Sequence, residues 1–523
     1  MIRLTIDGKP AEVEAGATIL DAAKAIGVEI PTLCHLEGRA STPSCYLCVV
    51  KIRGRTRLAP ACATQAEDGM VVENDSEEVR AARRTAIELL LSDHLGDCIA
   101  PCQGTCPAHI DIPAMLRQIA AGKMRNALII AKQSVALPGV LGYICPELCE
   151  KGCRRKSRDD AVAICHLKRY VAEEDLASDE PYIPPMKPAS GRKVVIIGAG
   201  PAGLSAAYYL LTLGHACVLF DEHENAGGML RYGVLEKDLP RKVLDDEIGI
   251  IAKMGARFEL GKRVGRDVTM SELTAEFDAV LVAVGDLKGS EPPSPELART
   301  ASGLQVHRES MMSSVEGVFV AGSAAVPARH AVRAVADGKN AAQRIDRFLA
   351  GDSDKSLTKE FSLHVGRLDS EAVVPFLTLV NPEGRIEGDL VAETARREAK
   401  RCIQCGCIRP ETCRLRRFAT AYDASPTRFK GERREFEQDS THPDVIFEPA
   451  KCIACGICVR IAAEAGEKLG LGFVGRGFTV RTAVPFSESL REGLRETARE
   501  CALKCPTGAL ILREWLERMP GDD

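Results

Sequence analysis

Cysteine placement constrains this chain more than any other feature. Its 21 cysteines fall into groups: Cys34, Cys45, Cys48 and Cys62; Cys98, Cys102 and Cys106; Cys145, Cys149, Cys153 and Cys165; Cys402, Cys405, Cys407 and Cys413; then Cys452, Cys455, Cys458, Cys501 and Cys505. Only Cys217 interrupts the stretch 166–401. A chain of 523 residues buries a core without staples, and roughly 150 residues per domain predicts three or four domains. A disulfide-stapled secreted mini-protein is excluded, and clustered thiols read as metal ligands in a reducing compartment. The N-terminus MIRLTIDGKPAEVEAGATIL alternates like a strand and lacks a signal-peptide pattern, so a cytoplasmic location is expected. Lys plus Arg (69) against Asp plus Glu (73) gives a net charge of -4, which offers no basic field to nucleic acid or an anionic membrane. The uncharged run 194–220 contains GAGPAG and His215; it resolves into strand, glycine turn and helix, not a membrane span.

In the first group ten residues separate Cys34 from Cys45, two separate Cys45 from Cys48, and thirteen separate Cys48 from Cys62. Four thiolates so placed suit a 2Fe-2S cluster, in which each iron takes two sulfurs; a Cys₄ zinc site is the alternative. With the flanking IPTLCH and SCYLCVVKI, the spacing resembles the N-terminal ferredoxin domain of the iron-sulfur subunit of respiratory complex I and of iron hydrogenases. That resemblance implies a β-grasp ferredoxin domain over 1–78. It continues through VRAARRTAIELLLSDHLGDC, an amphipathic helix ending at His94, with three residues between it and Cys98. In that family the His and the next three cysteines hold a 4Fe-4S cluster, which would be His94, Cys98, Cys102 and Cys106. Here these cysteines have three residues between them at each step, instead of two and five, and a solvated helix-end histidine is the alternative.

CQGTCPAHIDIP, followed by ICPELCEKGCRR with Cys145, Cys149 and Cys153, resembles the helical iron-sulfur domain of the glutamate synthase small subunit and dihydropyrimidine dehydrogenase. The resemblance implies a helical domain over 79–190 with two 4Fe-4S clusters. One upstream cysteine of that set is missing, and Lys168 stands where the family places an acidic or amide ligand. His94, Cys98 or Cys165 is available to compensate.

RKVVIIGAGPAGLSAAYYLLTLGHACVLFDEHENAGGML reads as strand, glycine turn, helix and a second strand ending in an acid. Gly198 allows the turn, Gly200 lets backbone approach a pyrophosphate, Pro201 and Ala202 open the helix, Gly203 permits close packing, and Asp221 takes the ribose position. GGMLRYGV, with Gly228, Met229 and Arg231, resembles the glutamate synthase small-subunit flavoproteins, whose first Rossmann unit holds FAD. DAVLVAVG, ending at Gly285, and GVFVAGSAA, with Gly322 and Ser323, look like that family's later FAD segments. Ser323 replaces the usual Asp and brings no charge. A degenerate Rossmann scaffold without flavin is the alternative. That family inserts an NADPH-binding Rossmann domain between these segments. Here only some thirty residues lie there, about the length of a single βαβ unit, so a domain over 191–350 lacking the nicotinamide half is expected. GLGFVGRGF from Gly470 fits a dinucleotide spacing formally but reads as a loop, and Cys217 reads as a buried small side chain.

Residues 351–400 read as a charged linker. In 401–440, Cys402, Cys405, Cys407 and Cys413 can close around one 4Fe-4S cluster or one zinc ion. Over 441–523, EPAKCIACGICVRIAAEAG and ARECALKCPTGAL read as the two runs of a bacterial ferredoxin. By the exchange rule of that fold, Cys452, Cys455, Cys458 and Cys505 hold one 4Fe-4S cluster. Ala462 replaces the remote ligand of the second, which leaves Cys501 a bystander.

The expected architecture is multidomain α/β and α+β, carrying FAD, one 2Fe-2S cluster and two to four 4Fe-4S clusters. Such a set forms a redox chain in which the flavin converts electron pairs to single electrons. The leading expectation is an electron-transfer subunit of a cytoplasmic NAD(P)-linked oxidoreductase complex. Its partners are expected to be a complex I-like NAD(P)-binding flavoprotein subunit and a ferredoxin or other redox subunit. Bifurcation at the flavin is compatible with this set but not required by it. The competing expectations are a self-sufficient NAD(P)H oxidoreductase and a redox sensor or scaffold.

Overall fold

The computed structural model describes residues 1–288, 291–327, 329–352, 360–377, 380–429 and 434–519. The chain forms two compact units, one from 1–100, 358–378 and 404–518, the other from 101–357, 379–403 and 519–523.

The first unit begins with a mixed sheet. β1 (Ile2–Ile6) alternates so that Leu4 and Ile6 are buried, and β2 (Lys9–Val13) does the same with Ala11 and Val13. Asp7 and Gly8 between them both have positive φ, as a two-residue hairpin turn matched to strand twist requires. β3 (Val49–Ile52), β4 (Ala59–Pro60) and β5 (Val71–Glu73) complete the order β2-β1-β5-β3-β4, with β1 and β5 parallel. Helix α1 (Ile19–Ala25) starts with a capping box between Thr18 and Asp21 and buries Ile19, Leu20, Ala22 and Ala23. Later in this unit the strands Val445–Phe447 and Leu510–Leu512 pair antiparallel beside the helices Ile457–Glu464 and Ala498–Lys504. The GLGFVGRGF segment, expected as a loop, contains half of an antiparallel hairpin, Gly472–Val474 against Arg481–Ala483.

The second unit joins a helical part to a five-stranded parallel sheet. Its strands are β6 (Lys193–Ile197), β7 (Ala216–Asp221), β8 (Arg257–Leu260), β9 (Ala279–Val282) and β10 (Val318–Val320), in the order β10-β9-β6-β7-β8. β9 and β10 are buried throughout and β6 is buried except at Lys193, the continuous apolar pattern of parallel strands covered on both faces. Between β9 and β10 the described residues form only isolated bridges, Arg299 with Leu304 and Met312 with Phe319. No strand–glycine–helix unit is present there among the described residues.

The stretch 351–400, expected as a linker, contributes to both cores, with 353–359 outside the described residues. Leu363 and Val373 are buried, and the helix Ala392–Ala399 buries Ala395, Glu398 and Ala399. Its charge misleads because Glu398 is ion-paired inside, to Arg401. Among the described residues no helix is long and apolar enough to cross a membrane.

Candidate metal and nucleotide centres

β6 runs into Gly198, whose φ of +109° suits glycine; a Cβ there would meet the Ala283 carbonyl oxygen at 2.4 Å. Gly203, in the first turn of the helix Pro201–Thr212, lies so close that a Cβ would meet the Gly198 oxygen at 1.9 Å. A Cβ on Gly200 would meet, among the described residues beyond its chain neighbours, nothing nearer than the Gly228 Cα at 3.8 Å, so the backbone is open on that face. The helix starts with Pro201 and has no side-chain cap at Gly200, which leaves its N-terminal dipole available to a pyrophosphate. Gly285 and Gly322, both with positive φ, follow β9 and β10 at the carboxyl edge of the sheet, where nucleotides bind in open α/β folds. The glycine cradle therefore fits a dinucleotide.

The other nucleotide candidates have more local roles. Asp221 accepts the Ala199 N–H at 2.7 Å and the His223 N–H at 3.0 Å, bracing the turn. Arg231 donates to the Ala226 carbonyl at 2.7 Å and pairs with Asp245, holding the glycine segment 226–228 in place. Met229 is exposed, and Ser323 lies half-buried in the short turn Gly322–Ala324.

In the first unit Cys34, Cys45, Cys48 and Cys62 are all buried and stand as two pairs. The Cys48 and Cys62 sulfurs are 3.3 Å apart. Cys34 accepts a hydrogen bond from Cys45, which pushes the Cys34 thiol down to about 5 and the Cys45 thiol up. Two pairs are what two irons require. Cys452, Cys455, Cys458 and Cys505 line one cavity, and so does Cys501, expected to stand aside. The reason is helical: residues four apart share a face, and Cys501 and Cys505 flank the end of the helix Ala498–Lys504. One packed cluster joins Cys34, Cys45, Cys413 and Cys455 with Leu33, Leu47 and Phe418, so thiols of three groups share a dry neighbourhood.

Two runs of cysteines are divided between the units. His94 and Cys98 belong to the first, Cys102 and Cys106 to the second; Cys402 belongs to the second, and Cys405, Cys407 and Cys413 to the first.

In the second unit Cys106, Cys145, Cys149 and Cys165 line one apolar cavity together with Lys168 and Val332. Cys153 does not line it. Gly152, beside Cys153, packs on Pro101 and Thr105, so that its turn lies against the short helix carrying Cys102. Cys165 and Lys168, three apart on the helix Ile164–Leu176, share a face, a periodicity readable in AICHLKRY. Glu150 accepts the Cys165 N–H at 2.9 Å. Burial opposes the Lys168 charge, but the thiols of Cys165, Cys145, Cys149 and Cys106 outweigh it and raise the ammonium pKa. Among the described residues no three cysteine sulfurs lie mutually within 4.8 Å.

Cys145 ends a helix, Pro138–Ile144, whose first N–H groups are held by Glu247: Gly139 and Val140 each donate at 2.9 Å. Burial pushes the Glu247 carboxyl up to about 7 from 4.5. The folded state then holds a proton the unfolded state has lost between about pH 4.5 and 7, so stability falls as pH rises through that window and levels off above it. Glu247→Gln should flatten that part of the profile. Melting temperatures of both proteins from pH 5 to 8 check this, and parallel curves would exclude Glu247 as the cause.

A family of 2Fe-2S iron-sulfur cluster binding domains matches residues 1–77. The dihydropyrimidine dehydrogenase domain II family, with its 4Fe-4S cluster, matches 92–180, and the NAD(P)-binding Rossmann-like domain family matches 196–259. The beta subunit of the NADP(+)-dependent formate dehydrogenase of Moorella thermoacetica is 39% identical over 255 residues, 44% of this chain and 36% of that protein. The beta subunit of the NADPH-Fe(3+) oxidoreductase of Geobacter sulfurreducens is 41% identical over 190 residues, 36% of this chain and 28% of that protein. The small chain of the NADPH glutamate synthase of Escherichia coli is 37% identical over 188 residues, 35% of this chain and 39% of that protein. The chain thus covers well under half the length of each of these relatives, all of them oxidoreductase components. Its sheet, glycine cradle, cysteine cavities and these matches agree: the chain carries a domain of the 2Fe-2S cluster-binding family, one of the dihydropyrimidine dehydrogenase domain II 4Fe-4S family and one of the NAD(P)-binding Rossmann-like family, and over about a third of its length it is related to the glutamate synthase small chain.

Proposed function

We propose that this chain is the electron-transfer subunit of an NAD(P)-linked oxidoreductase complex, relaying electrons between its iron-sulfur clusters and FAD while a complex I-like flavoprotein partner handles the nicotinamide. The carrying observation is the path from β9 to β10, in which the described residues form no second strand–glycine–helix unit. The Gly198–Gly203 cradle takes the FAD pyrophosphate. FAD exchanges electron pairs with hydride donors and single electrons with clusters.

Cys34 with Cys45, and Cys48 with Cys62, take the two irons of the 2Fe-2S cluster. Cys452, Cys455, Cys458 and Cys505 take one 4Fe-4S cluster. Cys106, Cys145, Cys149 and Cys165 take another, with Lys168 as its buried counter-charge. Support for a flavin–cluster path comes from Val332, which lines that last cavity from the helix Ala331–Leu349. Gly338 of the same helix packs so tightly on the nucleotide helix that a Cβ would meet the Ala202 oxygen at 2.2 Å.

The test is anaerobic mixing of the purified, flavin-loaded chain with NADPH or NADH. Flavin absorbance at 450 nm should hold over minutes and bleach within seconds once a nicotinamide-oxidising partner is added. Rapid bleaching of the chain alone would replace this reading with that of a self-sufficient dehydrogenase.

A further inference from the structure

We propose that Cys98, Cys407 and Cys413 together hold one further 4Fe-4S cluster, at a site assembled from two segments far apart in the sequence. The inference rests on the reading of the chain as an iron-sulfur electron carrier. It assigns these thiols differently from a closed cluster within 402–413 or a run from His94 to Cys106.

Backbone pairing brings the two segments together. Asp97 and Gly406 form a parallel bridge, and the Cys407 N–H donates to the Asp97 carbonyl at 2.9 Å. The residues that follow, Cys98 and Cys407, therefore lie side by side. Gly406 is needed for this approach, because a Cβ there would meet the Ala100 nitrogen at 2.8 Å.

Cys413 is the N-cap of the helix Arg414–Ala421, its sulfur accepting the Arg416 N–H at 3.4 Å. The Cys98 sulfur accepts the Leu363 N–H at 3.3 Å. Backbone donors to sulfur are the contacts that stabilise cluster thiolates and set cluster potentials. Cys98 lies close enough to Cys407 and to Cys413 to interact electrostatically with each. As cluster ligands the three sulfurs bind as thiolates, and cationic metal between them offsets their burial.

The surroundings suit an electron carrier. Lys451, 4% exposed, is ion-paired with the adjoining Glu448. Cys413 shares its packed cluster with Cys455, Cys34 and Cys45, which places the new site next in line after two of the proposed clusters.

The test uses the full chain purified anaerobically, with iron and sulfide counts and low-temperature electron paramagnetic resonance after dithionite reduction. Alanine variants are used, since a serine oxygen can still ligate iron. Cys98→Ala, Cys407→Ala and Cys413→Ala should each lose the same fast-relaxing signal and about four irons, and the Cys98→Ala/Cys407→Ala double variant should lose no more. Cys402→Ala should keep that signal. The 2Fe-2S signal is the folding control, and if one variant loses it, the other two decide. The proposal is overturned if Cys98→Ala keeps every signal, or if Cys98 and Cys407 abolish different signals additively. An unsubstituted chain with no cluster signal would bring down the electron-carrier reading itself.

Discussion

With FAD in the Gly198–Gly203 cradle as proposed, Gly203→Val should yield a protein that has lost the flavin and kept the clusters of its first unit. A Cβ at this position would stand 1.9 Å from the Gly198 oxygen and 3.1 Å from the Ile196 side chain. Both neighbours belong to the strand and turn that form the nucleotide cradle, so nothing flexible can give way. Overpacking a tight core contact costs about 1–3 kcal/mol, and more where the obstacle is backbone. Spent on prying helix from strand, that misaligns the helix N-terminus on which a pyrophosphate depends, and flavin affinity should fall roughly tenfold or more. Gly249→Ala is the matched control: it lies on the helix Arg241–Lys253 with nothing within 4 Å of its added Cβ. That variant should keep its flavin and gain up to about 1 kcal/mol from helix propensity. Acid-released flavin and iron per chain read both effects. Full flavin content in Gly203→Val would mean that the nucleotide sits elsewhere.

The second large effect is expected at Arg401. Its side chain is fully buried and pairs with Glu398, also fully buried, at 2.8 Å and with Asp159 at 3.0 Å. It further donates to the carbonyls of Glu383 and Asp160, each at 2.9 Å. Glu398 in turn accepts the N–H groups of Ala163 and Ile386, both at 2.9 Å, and Ala163 precedes the helix that carries Cys165 and Lys168. Removing one partner of a buried pair leaves an uncompensated charge and typically costs 3–5 kcal/mol. Arg401→Ala should therefore lower the melting temperature of the second unit by roughly 10 °C. Adding Glu398→Gln should restore part of the loss, because it removes the stranded carboxylate while keeping an acceptor. Calorimetry of the single and double variants decides; a loss below about 1 kcal/mol would show that the network is dispensable.

Much of the architecture was legible because its signals are local. A glycine turn is written within a few residues: Gly198 and Gly203 each meet a backbone oxygen close by. The alternation of Leu4, Ile6, Ala11 and Val13 marks strand, and the spacing of Cys34, Cys45, Cys48 and Cys62 marks four ligands, while their division into two pairs came from the fold. Where a site is closed by distant chain, legibility ended. Cys165 lines the cavity with Cys106, Cys145 and Cys149 while Cys153 does not, because helix phase decides which thiols point inward. Cys501 lines the ferredoxin cavity for the same reason. The charged stretch before residue 400 resembled a linker because an internal ion pair cannot be told from solvated charge until the partner is located.

The sequence by itself therefore determined the kind of chemistry: groups of thiols in a long chain, one dinucleotide turn, and no length for a complete second nucleotide-binding domain between Gly285 and Gly317. Only the tertiary structure decided which thiols share a cavity. Cluster coordination depends on side chains converging in space, and backbone pairing such as that of Asp97 with Gly406 sets this convergence across intervals that no local spacing encodes.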